Sequence, residues 1–475
     1  MRISTVFLLF IFCFAAYSRI LQVGTNKQYD VPSKAAAVVQ EGDTVEIDAG
    51  IYTGDVCAWN KNNLLIRGTS SYAHLAAGGN NAQGKAIWVV GGNNNVIEYI
   101  EFSDCTVPDR NGAGIRFEGT NLTIRHCYFH DNEDGILTDS NYKSDIVIES
   151  SEFSHNGYGD GYSHNLYIGH VRSLTFKFCY SHLAKIGHNL KSRANTNYIL
   201  YNRIMDEETG NSSMLIDLPN GGRSFIIGNL LMQGPNAENR KLISYGAEGL
   251  TNPVNELFVV NNTMVNKRSA GATFVGIQNG TTIAKIINNI FTGPGEVYTG
   301  TADTVTNIHF ADVAQAYFAD EENYDYRIFF RSPAFDAGTA LGSVSGFRLV
   351  PEYEYIHPMS YTLRIIYDYI DIGAYEAPPL DVDDDLYLSS FTVYPNPCHD
   401  YTTISFNLEK EQNINLRISD LLGNVCYSLN TEMLDIGKHQ LNINEEIISK
   451  LPTGSYTIQI SSPYFSKTEL LKVVR

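Results

Sequence analysis

Residues 197–205 read NYILYNRIM, and close variants follow at 224–232 (SFIIGNLLM), 257–265 (LFVVNNTMV) and 284–292 (AKIINNIFT). Each sets an apolar residue five positions before another. The pairs are Leu200/Met205, Ile227/Met232, Val259/Met264 and Ile286/Phe291, with Ile97/Phe102, Ile124/Phe129 and Ile148/Phe153 upstream. Phe176 falls between them, with Ser181 as its partner. Successive first members are 27, 24, 28, 24, 27, 32 and 27 residues apart. Each unit holds a short β-branched strand, a Gly/Asn turn, a second short strand such as GAGIRF (112–117) or HNLYI (164–168), and another turn. Periods of roughly 20–50 residues signal stacked units that share one core. Short strands, turn-rich connections and little helical periodicity predict an all-β coil, a parallel β-helix.

Two positions after the first apolar residue stand Asn202, Asn229, Asn261 and Asn288. In a stacked coil, residues in register lie about 4.8 Å apart. Side-chain amides at that spacing bond up the stack, which satisfies buried polar groups at a bend. These four asparagines are therefore expected to form an internal ladder. One position further on, Cys127, Ser151 and Cys179 are expected as small buried stackers. The two cysteines fall two turns apart, beyond the reach of a disulfide.

Upstream, PSKAAAVVQEGDTVEIDAG (32–50) reads as a short amphipathic helix and then a strand. Such a helix covers the open end of a stack, whose bare edge would invite aggregation. SPAFDAG (332–338) through DIGAYE (371–376) is expected to close the coil. Taken with the pattern of turns and the asparagines, residues 19–376 resemble the right-handed parallel β-helix of the pectin lyase-like superfamily. That resemblance implies a fold, not an activity, because this fold carries lyases, hydrolases, epimerases and adhesins.

The texture changes near residue 377. APPLDVDDDLYLSS (377–390) reads as an acidic linker. From 391 to 475 short alternating strands predict a small C-terminal β-sandwich. VYPNP (393–397), DLLGNV (420–425), LPTGSYTI (451–458) and the final KVVR (472–475) resemble the C-terminal sorting domain of type IX secretion substrates. The resemblance implies partnership with that machinery, passage through the outer membrane of a Bacteroidetes-type bacterium, and release or retention at the cell surface. Residues 1–18, MRISTVFLLFIFCFAAYS, read as a signal peptide cleaved after Ser18. No later run approaches the ~20 apolar residues of a membrane span. A net charge of -18 argues against nucleic acid as partner.

Against that acidic average, residues 164–193 contain Arg172, Lys177, Lys185, Lys191 and Arg193 and no carboxylate. They also contain His164, His170, His182 and His188. His-Asn-Leu occurs at 164–166 and again at 188–190, one unit later, so the two segments are expected to superimpose. With Leu190 inside, strand alternation turns Lys191 and Arg193 outward beside Tyr167. Such a face suits an acidic polysaccharide. Uronate cleavage by β-elimination needs a group to neutralise the carboxylate, a base for the adjacent proton and a donor for the departing oxygen. Arg193 suits the first task, Lys191 or His188 the second, and His164 or Tyr167 the third. Cationic neighbours are expected to draw Lys191 and His188 toward neutral pKa values. Asn165, Asn189, Tyr167 and Asp217 are the expected substrate contacts. The polysaccharide lyase reading stands first. A glycoside hydrolase and a non-catalytic adhesin or glycan-binding protein are the alternatives. Calcium, which assists several β-helix lyases, stays open as a helper ion.

Overall fold

The computed structural model describes residues 19–329, 332–377, 387–420, 424–431, 433–462 and 465–474. The expected leader (1–18), most of the acidic linker (378–386) and part of the DLLGNV turn (421–423) lie outside them. Each turn of the coil contributes three short strands. One turn holds Val171–Lys177, Tyr180–His182 and His188–Ser192, and the next Thr196–Leu200, Arg203–Met205 and Met214–Leu218. Equivalent strands of successive turns pair in parallel, so the third strands build a ten-stranded parallel sheet from Cys57–Trp59 to Gly295–Thr299.

Side chains that alternate inward stack on their counterparts above and below, which is why the pattern repeats. Phe102, Phe129 and Phe153 stack with ring centroids 5.0 and 4.9 Å apart. Register continues that column through Ser181, Ile204, Leu231, Met264 and Phe291. Met205 and Met232, paired with Leu200 and Ile227 by sequence, thus stand one residue out of it and face outward.

The asparagine ladder forms with a corrected membership. Asn202 Nδ2 donates to Asn229 Oδ1, Asn229 to Asn262, Asn262 to Asn289 and Asn289 to Asn307, each at 2.9 Å. Asn261 and Asn288 are not rungs. Each is the first of an Asn-Asn pair and takes the left-handed corner before the ladder, with φ of 49° and 56°, which asparagine tolerates. Their side chains bond outward, Asn261 to the Asp371 and Gly373 carbonyls and Asn288 to the Thr339 carbonyl. Phe178, Tyr201 and Gly228 hold the same corner in earlier turns. Cys127, Ser151 and Cys179 occupy the ladder column itself: Cys127 N donates to Ser151 Oγ, and Cys179 N to Asn202 Oδ1. All six described cysteines are free thiols.

The helix Pro32–Ala36 forms and buries Ala35. The segment expected to close the coil does something else. Residues 336–364 and 369–375 run back along its flank, where Leu349, Phe347 and Tyr353 cover the outward faces of Phe178, Tyr201, Phe225 and Phe258. Those strands are apolar on both faces, so an uncovered flank would leave a large aromatic surface in water.

The C-terminal unit is an antiparallel sandwich. One sheet holds Leu388–Tyr394, Thr402–Leu408 and Gly437–Ile443. The other holds Val425–Asn430, Asn415–Asp420, Gly454–Ser462 and Phe465–Val473. Ile404, Phe406, Ile418, Ile458 and Leu471 share its core. Its first strand begins at Leu388, inside the stretch read as linker, because Leu388 is buried opposite Leu408. The YPNP and KVV segments are tied together: Asn396 Nδ2 donates to the Leu470 carbonyl, and Lys472 N donates to Asn396 Oδ1.

Candidate functional site

Tyr167 is registered with Lys191, Lys191 with Asp217, and Asp217 with Ser244. Leu166, Leu190 and Ile216 fill the core, so alternation sends this column out of the coil. The paired HNL segments therefore superimpose as expected. The rings of His164 and His188 stack, with centroids 4.5 Å apart and planes 17° apart. The backbone N–H of His188 donates to His164 Nδ1 at 3.0 Å, which places any His164 proton on Nε2.

Lys191 Nζ lies 3.8 Å from Asp217 Oδ2, 3.4 Å from Glu248 Oε1 and 5.3 Å from the centre of the Tyr167 ring. Arg193 follows the strand. Its Nε donates to the Tyr167 hydroxyl at 2.9 Å, and its Nη1 reaches Asn220 Oδ1 at 2.5 Å and Glu248 Oε2 at 2.7 Å. Lys191, Arg193, Tyr167 and Asp217 thus come together on one wall.

Three expectations need correction. Asn165 and Asn189 are fully buried and belong to a second internal ladder, so no glycan reaches them. Asn156 Nδ2 donates to Asn165 Oδ1, Asn165 to Asn189, and Asn189 to Asp206, at 3.0, 3.0 and 3.2 Å. His164 is 1 % exposed, and its Nδ1 is spent on the His188 backbone, so it positions its neighbour rather than meeting a substrate. The five cations do not form one patch. Thirty consecutive residues wrap around the whole circumference, and neighbouring turns supply their partners: Arg172 pairs with Asp145, Lys177 with Glu149 and Lys185 with Asp131. His182 lies between Glu152 and Glu207 on another wall.

Glu248 and Asn220 escaped the sequence reading. Glu248 sits in the extra-long connection that begins at Gly246, so the 32-residue step was the signal available. Its carboxylate closes the gap between the two cations from 57 residues away.

Burial drives the His188 pKa down to about 3, with Lys191 adding to the effect. His164 is lowered well below the ordinary value by burial, then by His188, Lys191 and Arg193. Both imidazoles are neutral, and for His188 burial rather than charge is the main cause. Burial raises Asp217 from 3.8 to about 6 against the pull of Lys191. Glu248 is desolvated too, yet Arg193 and Lys191 hold it below its usual range.

The Asp217 shift has a consequence for stability. Between pH 3.8 and about 6 the native state keeps a proton that the unfolded chain releases. Stability therefore falls as pH rises through that window, since the native state binds more protons there. Asp217→Asn is expected to flatten this part of the curve, measured as the urea midpoint at successive pH values. Buried Asp206, raised to about 6, keeps a slope of the same sign in the variant.

The wall does not fit calcium. That ion takes about six to eight oxygen ligands, whereas the two carboxylates here, Asp217 and Glu248, are both engaged by cations.

Residues 26–214 match the family model described as the right handed beta helix region. Residues 392–473 match the secretion system C-terminal sorting domain. None of the curated proteins matches the chain by sequence. The solved structure of pectate lyase Pel9A superposes with a TM-score of 0.51 at 14% identity, covering 76% of this chain and 96% of that one. At that identity the likeness speaks for the fold. No helix among the described residues is long and apolar enough to cross a membrane. The chain is a right-handed parallel β-helix protein carrying a type IX secretion sorting domain, which directs it to the cell surface or beyond.

Proposed function

We propose that this exported protein acts on an acidic polysaccharide and cleaves it by β-elimination at the wall of Tyr167, Lys191 and Arg193. One observation carries the reading: Lys191 and Arg193 already hold a carboxylate, that of Glu248, beside the Tyr167 ring. A uronate carboxylate has the same charge and shape, and Arg can grip it through two parallel hydrogen bonds. Arg193 would neutralise it and so acidify the adjacent C–H. The amine form of Lys191 would take that proton. A carbon–carbon double bond forms as the carbon–oxygen bond to the leaving sugar breaks, and the Tyr167 hydroxyl protonates the departing oxygen. His188, its pKa lowered to about 3 by burial, is too weak a base for the proton step.

In this reading Glu248 holds the place of the substrate. It lies between Gly246 and Gly249, whose φ values of 80° and 109° suit a turn that a bulkier residue resists. Glu248→Gln is expected to tighten binding of an anionic oligosaccharide roughly two- to fivefold, because a partly exposed ion pair no longer has to be displaced. Calorimetry with alginate and polygalacturonate oligosaccharides measures this. Weaker binding would instead place Glu248 in the working machinery.

Hydrolysis is the second reading, favoured by the opposed pKa values of Asp217 and Glu248 on either side of Lys191. Two carboxyl groups driven apart in this way suit an acid and a base. Incubation with alginate, polygalacturonate and glycosaminoglycans separates the readings. Ultraviolet absorbance of unsaturated uronates marks elimination. New reducing ends without it mark hydrolysis, and binding without either marks a glycan-binding adhesin.

A further inference from the structure

A different sheet of the coil carries a group of side chains that the polysaccharide reading does not use. His74 lies on Leu65–Ala76, Glu101 on Ile100–Ser103 and His130 on Tyr128–His130. His74 is registered with Glu101, and His130 with Ser103 on the next turn. Glu101 Oε1 lies 3.6 Å from His74 Nδ1 and 3.0 Å from His130 Nε2. All three ligand atoms fall within 4.8 Å of one another.

The surrounding hydrogen bonds orient both rings. Ser103 Oγ donates its proton to Asp104 Oδ2 at 2.6 Å. It can then only accept from His74, whose Nε2 lies 2.8 Å away, so Nε2 holds the proton and Nδ1 turns a lone pair toward Glu101. Asp131 Oδ2 accepts from His130 Nδ1 at 3.0 Å and Glu101 Oε1 accepts from His130 Nε2 at 3.0 Å, so a metal at this point would take the place of the Nε2 proton. The Tyr128 ring stacks on His130 at 4.4 Å and steadies it. One imidazole lone pair, one imidazole N–H whose proton a cation can replace and a carboxylate oxygen therefore converge on one point.

We propose that His74 Nδ1, Glu101 Oε1 and His130 Nε2 form a surface site for a divalent transition metal of the zinc type. Zinc binds such atoms at about 2.0–2.1 Å in a tetrahedron, which puts ligands ~3.4 Å from each other. The 3.6 and 3.0 Å separations bracket that edge. Two nitrogens and one oxygen suit zinc and its neighbours better than calcium or magnesium, which prefer oxygen alone. Ligating histidines ordinarily give their other N–H to a carboxylate or similar acceptor. Asp131 does this directly, and Asp104 does so through Ser103. The three ligand side chains are 21 %, 19 % and 22 % exposed for His74, His130 and Glu101, so solvent reaches the fourth position.

The test uses the full chain without a histidine tag, stripped with a chelator and titrated with zinc chloride in a calorimeter. One equivalent is expected to bind. His74→Ala and His130→Ala are expected to weaken it at least 100-fold. Asp131→Asn, which leaves the ligands in place, is expected to weaken it about 10–100-fold. Carbethoxylation with peptide mapping locates the site in the unaltered protein: zinc should shield His74 and His130 and leave His155 reactive. No saturable binding, or labelling of His74 and His130 that zinc does not change, would overturn the proposal. The cluster would then be a protonated His130 bridging Glu101 and Asp131.

Discussion

Lys191→Met is expected to lower turnover of an acidic polysaccharide by about 10²–10⁴-fold, the usual contribution of a positioned proton-transfer group. Methionine keeps most of the stem that lies over Tyr167 and removes only the ammonium. Arg193 stays in place to grip the carboxylate, so kcat should fall while KM changes little. Arg193→Gln should behave differently. It removes both the grip and the neutralising charge, so KM rises and kcat falls together. Arg193→Lys should rescue little, because an ammonium cannot reproduce the two-pronged contact or the bond to the Tyr167 hydroxyl. Circular dichroism of each variant checks that the coil is intact. Unchanged turnover and binding in both Lys191→Met and Arg193→Gln would remove this wall from the chemistry altogether.

The second large effect falls on stability. Asn229 is completely buried, and both ends of its amide are used. Its Nδ2 donates to the carbonyls of Ile199 and Ile227 and to Asn262 Oδ1, and its Oδ1 accepts from both Asn202 N and Nδ2. Asn229→Ala strands several of these groups without water. Each buried polar group left unpaired costs about 1–3 kcal/mol, so a total loss of about 3–5 kcal/mol is expected. Asn261→Ala should cost only about 1–2 kcal/mol, since that residue stands outside the ladder and bonds to the flanking segment. Urea midpoints of the two variants, compared under one condition, measure the difference. Equal losses would show that the two positions are equivalent, as the sequence alone suggests.

That contrast illustrates where reading along the chain fails. Asn-Asn doublets at 261–262 and 288–289 offer two candidates for one rung, and periodicity cannot choose between them. The choice is made by backbone conformation: the first asparagine takes the left-handed corner and the second points inward. The methionine column slipped by one residue for a similar reason, since Ile204 and Met205 are both apolar and both buried. Met205 is buried in a cluster on the outside of the coil that includes Tyr326 and Tyr355.

The superposition of His164 on His188, by contrast, was plain in the spacing of the two HNL segments, and the pairing of Tyr167 with Lys191 follows from it. The sorting domain was equally plain, because its motifs are short and contiguous. Stacking of like on like depends on the length of each turn, and turn length is written along the chain. Charge balance is not. Lys191 and Arg193 look unpaired in their own segment, yet they meet Asp217 from the next turn and Glu248 from the loop beyond it. Coulombic partners are chosen by distance through space, and a coil brings residues from other turns within a few ångströms. Repeat length therefore established the architecture, whereas folding alone settled which cations stand free, which histidines are sealed in and which carboxylate already fills the cradle.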